Sequence, residues 1–463
     1  MNAITQRSLS ERLYRTIWRW HFFAGLLVLP FLVMMAVTGG AYLFRPELDH
    51  LIYRAIEDVP ARAAPFAPAS LIIRQVEAGV NGRVLEFTPA AAPNRAVQLL
   101  VRGPAGEALT VYANPYDGKV TGSSAYGGVM QLVRKIHSLQ HFGFWASCLI
   151  ELTAGWSIVL VGTGVFLWWP RKPAGGGVLS VRGSPRQRIF WRDLHAVTGI
   201  LACAILLFLA VTGMPWSMFW GAHVQDWATK AGVNEPAPPA DTTPEWLMAA
   251  TMPSMPHAPH AADKPIRPDV PWAMEKMPMP MSQDSPRAPP INIDQALARF
   301  AALGLNRTAG ITLPSGPRGA YVGTWRPDRA EQARIIYLDQ YSGAVLGDVG
   351  FRKWGPAGKA IEWGISVHQG QEYGPVNRYL MLLGCIAIVV MAVAAVTMWW
   401  KRRPAGTLGV PPPPAVPGMA KGFVAIMVVT GVIFPLVGAS VLVALGIDWL
   451  ANGGIQRLTF SDS

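Results

Sequence analysis

Apolar and polar residues fall in long blocks along this chain, with short periods only between the blocks. Apolar runs cover about 21–44, 144–169, 193–216, 377–400 and 421–446. Each is near the roughly 20 residues needed to cross about 30 Å of hydrocarbon. Residues 45–136 are mixed, with prolines and alternating apolar positions, and residues 217–376 form a second such region. In the first region a helix is predicted from Ala69 through Gly79. Strands are predicted at Val84–Phe87, Val97–Arg102 and Leu109–Tyr112. Tyr112 to Gly118 reads as a strand entering a turn. The pattern therefore predicts a membrane protein, mainly α-helical, with five transmembrane helices and two α+β domains outside the membrane.

Composition supports that class. Of 463 residues, 51% are hydrophobic and 15% charged, which suits a membrane protein better than a large soluble core. The formal charge of +12 does not point to nucleic acid, because many of its basic residues flank the apolar runs and no nucleic-acid motif is present. Residues 1–20 carry Arg7, Arg12, Arg15 and Arg19. The loop 170–192 carries Arg171, Lys172, Arg182, Arg186, Arg188 and Arg192, and the loop 401–420 opens on Lys401, Arg402 and Arg403. With five spans these three segments share one side, and the positive-inside rule makes it the cytoplasm. The N-terminus is then cytoplasmic, and the two α+β regions and the tail 447–463 face outward. The pairs Trp168-Trp169 and Trp399-Trp400 suit an aromatic belt. Cys148, Cys203 and Cys385 lie inside apolar runs and read as packing residues.

An internal repeat organises the chain. Tyr112-x-Asn114-x-Tyr116-x-Gly118-x-Val120-x-Gly122 returns as Tyr337-x-Asp339-x-Tyr341-x-Gly343-x-Val345-x-Gly347. His21, Gly25 and Thr38-Gly39 return as His195, Gly199 and Thr212-Gly213. His137 stands in the same frame to Gly143 and Trp168 as His368 does to Gly374 and Trp399.

The repeated histidines are the candidate chemistry. His21 and His195 lie at the inner mouths of spans one and three, His137 and His368 at the outer mouths of spans two and four. An ionisable residue at such a place is a functional hypothesis by default. Two imidazoles saturate haem iron axially for electron transfer, whereas zinc wants three or four protein ligands and no further cluster accompanies either pair. Gly25 and Gly199, one turn beyond His21 and His195, would let a flat macrocycle approach the backbone. The competing reading is four polar anchors inherited with the repeat. His141 shares a helical face with His137 and is an alternative outer ligand. Its repeat counterpart is Glu372. His50 and His223 have no counterparts and read as exposed or capping residues. Glu151 and Glu362 could shuttle protons, but are expected sooner to pair with Arg134, Lys135 or Lys359.

The His-x-x-x-Gly…Thr-Gly and Trp-Trp-Pro-Arg frames, with two intervening regions containing Tyr-x-Asn/Asp-x-Tyr-x-Gly, resemble the PepSY-associated transmembrane helix family. These are bacterial inner-membrane proteins, some of them di-haem reductases of ferric siderophores. The resemblance implies PepSY-like folds over about 66–122 and 290–347, two b-type haems, and electron delivery to a ferric siderophore or similar metal chelate on the periplasmic side. Position by position, the family's helix-mouth histidines fall on His21, His137, His195 and His368. No nucleotide-binding glycine loop is present, so electrons would come from quinol or a cytoplasmic reductase. The alternative is a non-enzymatic membrane module that binds a partner or a metal.

The stretch 230–288 departs from that layout. It is proline-rich and carries Met248, Met252, Met255, Met274, Met277, Met279 and Met281 with His257 and His260. Thioether and imidazole ligands suit Cu(I), so a copper-handling role is a third reading, beside that of a low-complexity loop.

Overall fold

In a computed structural model the described residues are 3–170, 176–233, 271–272, 280–282, 289–404, 406 and 421–451. The chain divides into two compact units. One comprises Met1–Leu43, Arg134–Val224 and Arg378–Ser463, the other Phe44–Val133 and Gln225–Asn377.

The first unit is helical. Helix α1 runs Ala3–Tyr42, α5 Phe144–Trp168, α6 Arg188–Gly213 and α10 Gly374–Arg402. Among the described residues these supply the four helices long and apolar enough to cross a membrane, with spans at Leu13–Tyr42, Phe144–Trp168, Arg188–Trp216 and Gly374–Arg402. The basic N-terminal stretch is not a separate tail. No glycine or proline interrupts it, and it prolongs the first span as one helix. Pro30 sits inside α1 without ending it. Helix α5 packs against α1 and α6. Helix α10 meets α6 where Gly384 faces Ile205, and α1 where Gly40 faces Cys385. Ile17, Val28, Trp156, Val159, Met214, Phe434 and Val437 form the core of this unit.

The expected fifth span, 421–446, is not one helix. It is two, α11 Lys421–Ile433 and α12 Pro435–Ala451. At 1.5 Å per residue they reach about 20 and 26 Å, each short of a hydrocarbon core of about 30 Å. A side-chain carbon placed on Gly431 would stand 3.0 Å from the Gly438 Cα. Seven residues along a straight helix would separate them by about 10 Å, so the chain doubles back. Pro435 brings no N–H to continue the ladder, and two glycines let the backbones touch. The hairpin lies on α5, where Trp156 Nε1 donates to Ser440 Oγ at 2.9 Å.

The second unit is α+β. Its helices are α2 Arg45–Glu57, α3 Ala69–Val80, α8 Ile293–Ala302 and α9 Pro356–His368, while α4 Gly128–His137 and α7 Trp220–Lys230 cross between the units in sequence. The strands are β1 Arg83–Thr88, β2 Val97–Arg102, β3 Ala108–Ala113, β4 Val120–Ala125, β5 Gly310–Thr312, β6 Ala320–Trp325, β7 Arg334–Asp339 and β8 Val345–Gly350. Both repeats enter one antiparallel sheet, ordered β4-β3-β2-β1-β5-β6-β7-β8. The seam is the pairing of β1 with β5, at Glu86–Thr312 and Phe87–Ile311. Helices α3 and α8 cover one face through Ile72, Ile73, Val76, Ala296 and Phe300. The repeated tyrosine motif is a turn. Asn114 Oδ1 accepts from the Tyr116 N–H and Asp339 Oδ1 from the Tyr341 N–H, each at 2.9 Å. Gly118 and Gly343 then sit at φ of 70° and 69°, where a side chain is strained.

The hairpin generates a test. A Cβ on Gly438 would meet the Gly431 carbonyl oxygen at 2.8 Å, backbone that cannot swing aside, whereas one on Gly446 meets nothing within 4 Å. Gly438→Ala is expected to destabilise the protein by about 1–3 kcal/mol. Gly446→Ala is expected to be neutral or to stabilise by roughly 0.5–1 kcal/mol. Thermal unfolding of both variants in detergent measures the difference.

Candidate functional site

His21 faces His195 across the helical unit. Their ring centres are 6.4 Å apart and the rings are near perpendicular, at 85°. Each Nδ1 is held. His21 Nδ1 is 2.8 Å from Thr163 Oγ1 on α5. That hydroxyl already donates to the Val159 carbonyl at 2.8 Å, one turn back, so toward His21 it accepts. His195 Nδ1 is 3.0 Å from the Met391 carbonyl oxygen on α10, which can only accept. Both protons are thereby assigned to Nδ1, and both Nε2 lone pairs remain for a ligand. A metal–imidazole bond is about 2 Å, and with roughly 1 Å from each nitrogen to its ring centre one metal between two imidazoles needs about 6 Å. The observed separation matches.

The neighbouring glycines differ. A Cβ on Gly25 would meet nothing within 4 Å, and one on Gly199 would meet Met391 Sδ at 3.4 Å. Open space therefore borders His21 one turn along α1. Gly164, beside Thr163, has His21 Cε1 as its nearest neighbour, at 3.4 Å.

His137 ends α4 and lies against the other end of α1. Its Nδ1 is 2.9 Å from Thr38 Oγ1, which donates to the Met34 carbonyl at 2.6 Å. The tautomer logic is that of His21. A Cβ on Gly39 would come within 3.1 Å of the His137 ring, so the Thr38-Gly39 pair both holds and admits the imidazole. Burial lowers the His137 pKa from its ordinary value to about 4, so the ring is neutral at neutral pH. Seventeen residues separate His21 from Thr38, about 25 Å along α1.

His141 is exposed, in a short 3₁₀ turn after α4. Its counterpart Glu372 is buried and accepts the Ala330 N–H at 2.9 Å. His368 is the last residue of α9, half-buried, in the α+β unit. His50 neighbours Glu57 and Asp58, and His223 Nδ1 lies 2.6 Å from the carbonyl oxygen of Phe219. Among the described residues no three His, Cys, Asp or Glu side chains converge as a metal-binding group. The methionines and histidines of 248–279 fall outside the described residues, and Met281 is exposed.

Over residues 18–402 the chain matches the model of the PepSY-associated TM region. It belongs to that family. No curated protein matches it. This PepSY-associated chain is thus a membrane protein with, among the described residues, four long apolar helices and an antiparallel sheet.

Sequence reasoning placed the histidines but missed what holds them. Thr163, its partner Gly164 and the Met391 carbonyl have no signal in the histidine frames. The Thr-Gly dipeptide was the available clue, since Thr163-Gly164 repeats the Thr38-Gly39 and Thr212-Gly213 pairs in the middle of an apolar run. The expected pairing of Glu151 with Arg134 or Lys135 is also corrected. Glu151 is buried in α5, and its Oε2 accepts the backbone N–H groups of Phe219 and Trp220 at 3.2 and 2.9 Å, where α7 begins. A carboxylate deep in a span pairs with amide donors packed beside it sooner than with cations near the span's end. Glu151→Ala leaves both part-buried amides without this acceptor, at up to about 1–3 kcal/mol each, while Glu151→Gln keeps an acceptor. The alanine variant is expected to unfold at clearly lower temperature in detergent, and the glutamine variant close to wild type.

Proposed function

We propose that this chain is a di-haem, b-type electron-transfer protein of the bacterial inner membrane. It would reduce a ferric siderophore or similar metal chelate on the periplasmic side, with electrons from quinol or a cytoplasmic reductase. The observation that supports this most is the facing of His21 and His195 at 6.4 Å with each Nδ1 committed elsewhere. That donor set fits haem better than zinc, for no third ligand joins the pair among the described residues. A haem held by two imidazoles is six-coordinate and suited to electron transfer without gas binding. His21 and His195 would hold the haem through their Nε2 nitrogens. Thr163 and the Met391 carbonyl orient them, and the open space by Gly25 leaves room at the helix surface. His137, fixed by Thr38 at the far end of α1, would serve the second haem. By the positive-inside rule, the basic N-terminus and the 170–192 and 401–420 loops favour the cytoplasm for the His21 end of α1. Reducing Fe(III) to Fe(II) loosens oxygen chelation and favours release.

The purified protein, produced with ample haem, is expected to carry two haems per chain. On reduction it should show the sharp α-band of low-spin bis-imidazole haem. His21→Ala and His195→Ala should each remove one and the same haem, His137→Ala the other, and His141→Ala neither. A colourless preparation that is folded by circular dichroism would end this reading. Thr163→Val should keep both haems but shift the midpoint potential of one, measured by spectroelectrochemical titration, because the His21 ring loses the acceptor for its Nδ1 proton.

A further inference from the structure

The face of the sheet turned away from α3 and α8 is polar where the repeats meet. A bulge between Val84 and Glu86 resets the alternation of β1, so that Val84 and Phe87 both enter the helix-covered core while Glu86 points to the other side. The same face takes Gln98 and Leu100 from β2, Thr110 from β3, and Thr312 and Thr324 from β5 and β6, by their pairing with Glu86 and Gly310. Apart from Thr312, these positions line a groove of about 280 Å³, with Trp325 and Tyr126 also in its wall. Gly310 is its floor. A Cβ there would lie 2.3 Å from Glu86 Oε1, so the carboxylate rests directly on the backbone at the seam.

Two further facts point to a ligand. The hydroxyl oxygen of Thr324, a residue of the groove's wall, is buried and has no hydrogen-bond partner among the described residues. A buried hydroxyl left unpaired is destabilising, and valine would fill the position without that cost. The groove's charged side chains are one carboxylate, Glu86, and one guanidinium, Arg326, so its formal charge sums to zero.

We infer that this seam groove binds a compact, electroneutral, oxygen-rich small molecule, and that it is where the metal chelate docks on the α+β unit. The second half of that statement rests on the function proposed above. The threonine hydroxyls and the Gln98 amide N–H on the wall can donate to a ligand's oxygens, since a hydroxyl proton rotates to suit its partner. A strongly anionic chelate gains no net charge attraction there and would lose solvation beside Glu86.

The test uses gallium(III) tris-maltolate, a neutral and redox-inert chelate, titrated calorimetrically into the full chain in detergent, with anionic gallium citrate in parallel. The neutral chelate is expected to bind, and citrate at least ten-fold more weakly. Thr324→Val and Gly310→Ala should each weaken the neutral chelate ten-fold or more, the first while leaving the unfolding temperature unchanged or raised. Binding that is absent, that is equal in the variants, or that is as tight for citrate overturns the proposal. The iron(III) counterpart separates the two readings. If it oxidises the reduced haem equally well in wild type and groove variants, the groove falls and the electron-transfer function stands. Groove-dependent binding to a folded chain that takes up no haem leaves the groove standing and removes the haem reading.

Discussion

The placement of one proton on each imidazole governs the helical unit. His195 donates to a backbone carbonyl, and His21 and His137 to threonine hydroxyls whose own protons are spent on the preceding turn. Each ring is therefore held at Nδ1 and fixed in rotation, with its Nε2 outside that bond. Between apolar helices a charged imidazole would be costly, and a neutral ring without a partner would turn. The threonine back-bond resolves both problems with one side chain. It also ties helices together, since α5 and α10 each present the oxygen that orients a histidine on α1 or α6.

Duplication explains the frame but not the partners. The offset of 231 residues that relates His137 to His368 maps Thr163 onto Ala394, which has no hydroxyl and is fully buried. The second repeat uses the Met391 carbonyl instead, one turn earlier on α10. The two imidazoles thus keep the same tautomer through different chemistry. His141 and Glu372 have diverged further, one exposed and the other capping a buried amide. In the α+β unit the inheritance is closer. Tyr116 and Tyr341 each donate a phenolic proton to a proline carbonyl, of Pro93 and Pro317, at 2.9 and 2.8 Å. What read in the sequence as a motif is a turn and a tether, a structural use of the tyrosines.

Hydropathy made four spans legible because a membrane-crossing helix needs only length and apolarity. The same measure misread 421–446, for a hairpin of two short apolar helices has the composition of one long one. Only Gly431, Pro435 and Gly438 tell them apart, and each is common in membrane helices. The helix α3 and strands β1 to β3 were readable from alternation. Strand β4, Val120-Thr121-Gly122-Ser123-Ser124-Ala125, was not, because its small residues carry no apolar period. The histidines were visible because a repeat fixes register over hundreds of residues. Their partners were not, since a carbonyl has no letter in a sequence and Thr163 lies on a different helix, 142 residues from His21.

The same logic accounts for a polar groove at the middle of the sheet. Each repeat brings a helix for one face, and each wing of the other face has its own cover. Ile56 packs with Val59 and Tyr112 on one side, and Trp354 with Ile335, Tyr337 and Val349 on the other. Both covers belong to the outer strands. The seam, made when β1 met β5, inherits none. A face left bare by duplication can be closed with apolar side chains or kept open with polar ones. The bulge at Val84–Glu86 turns a carboxylate outward at the centre, and Thr312 and Thr324 stand where valine would pack without penalty. Hydroxyls retained at a stability cost, beside a glycine floor, are what a sheet keeps when something other than the fold requires that surface.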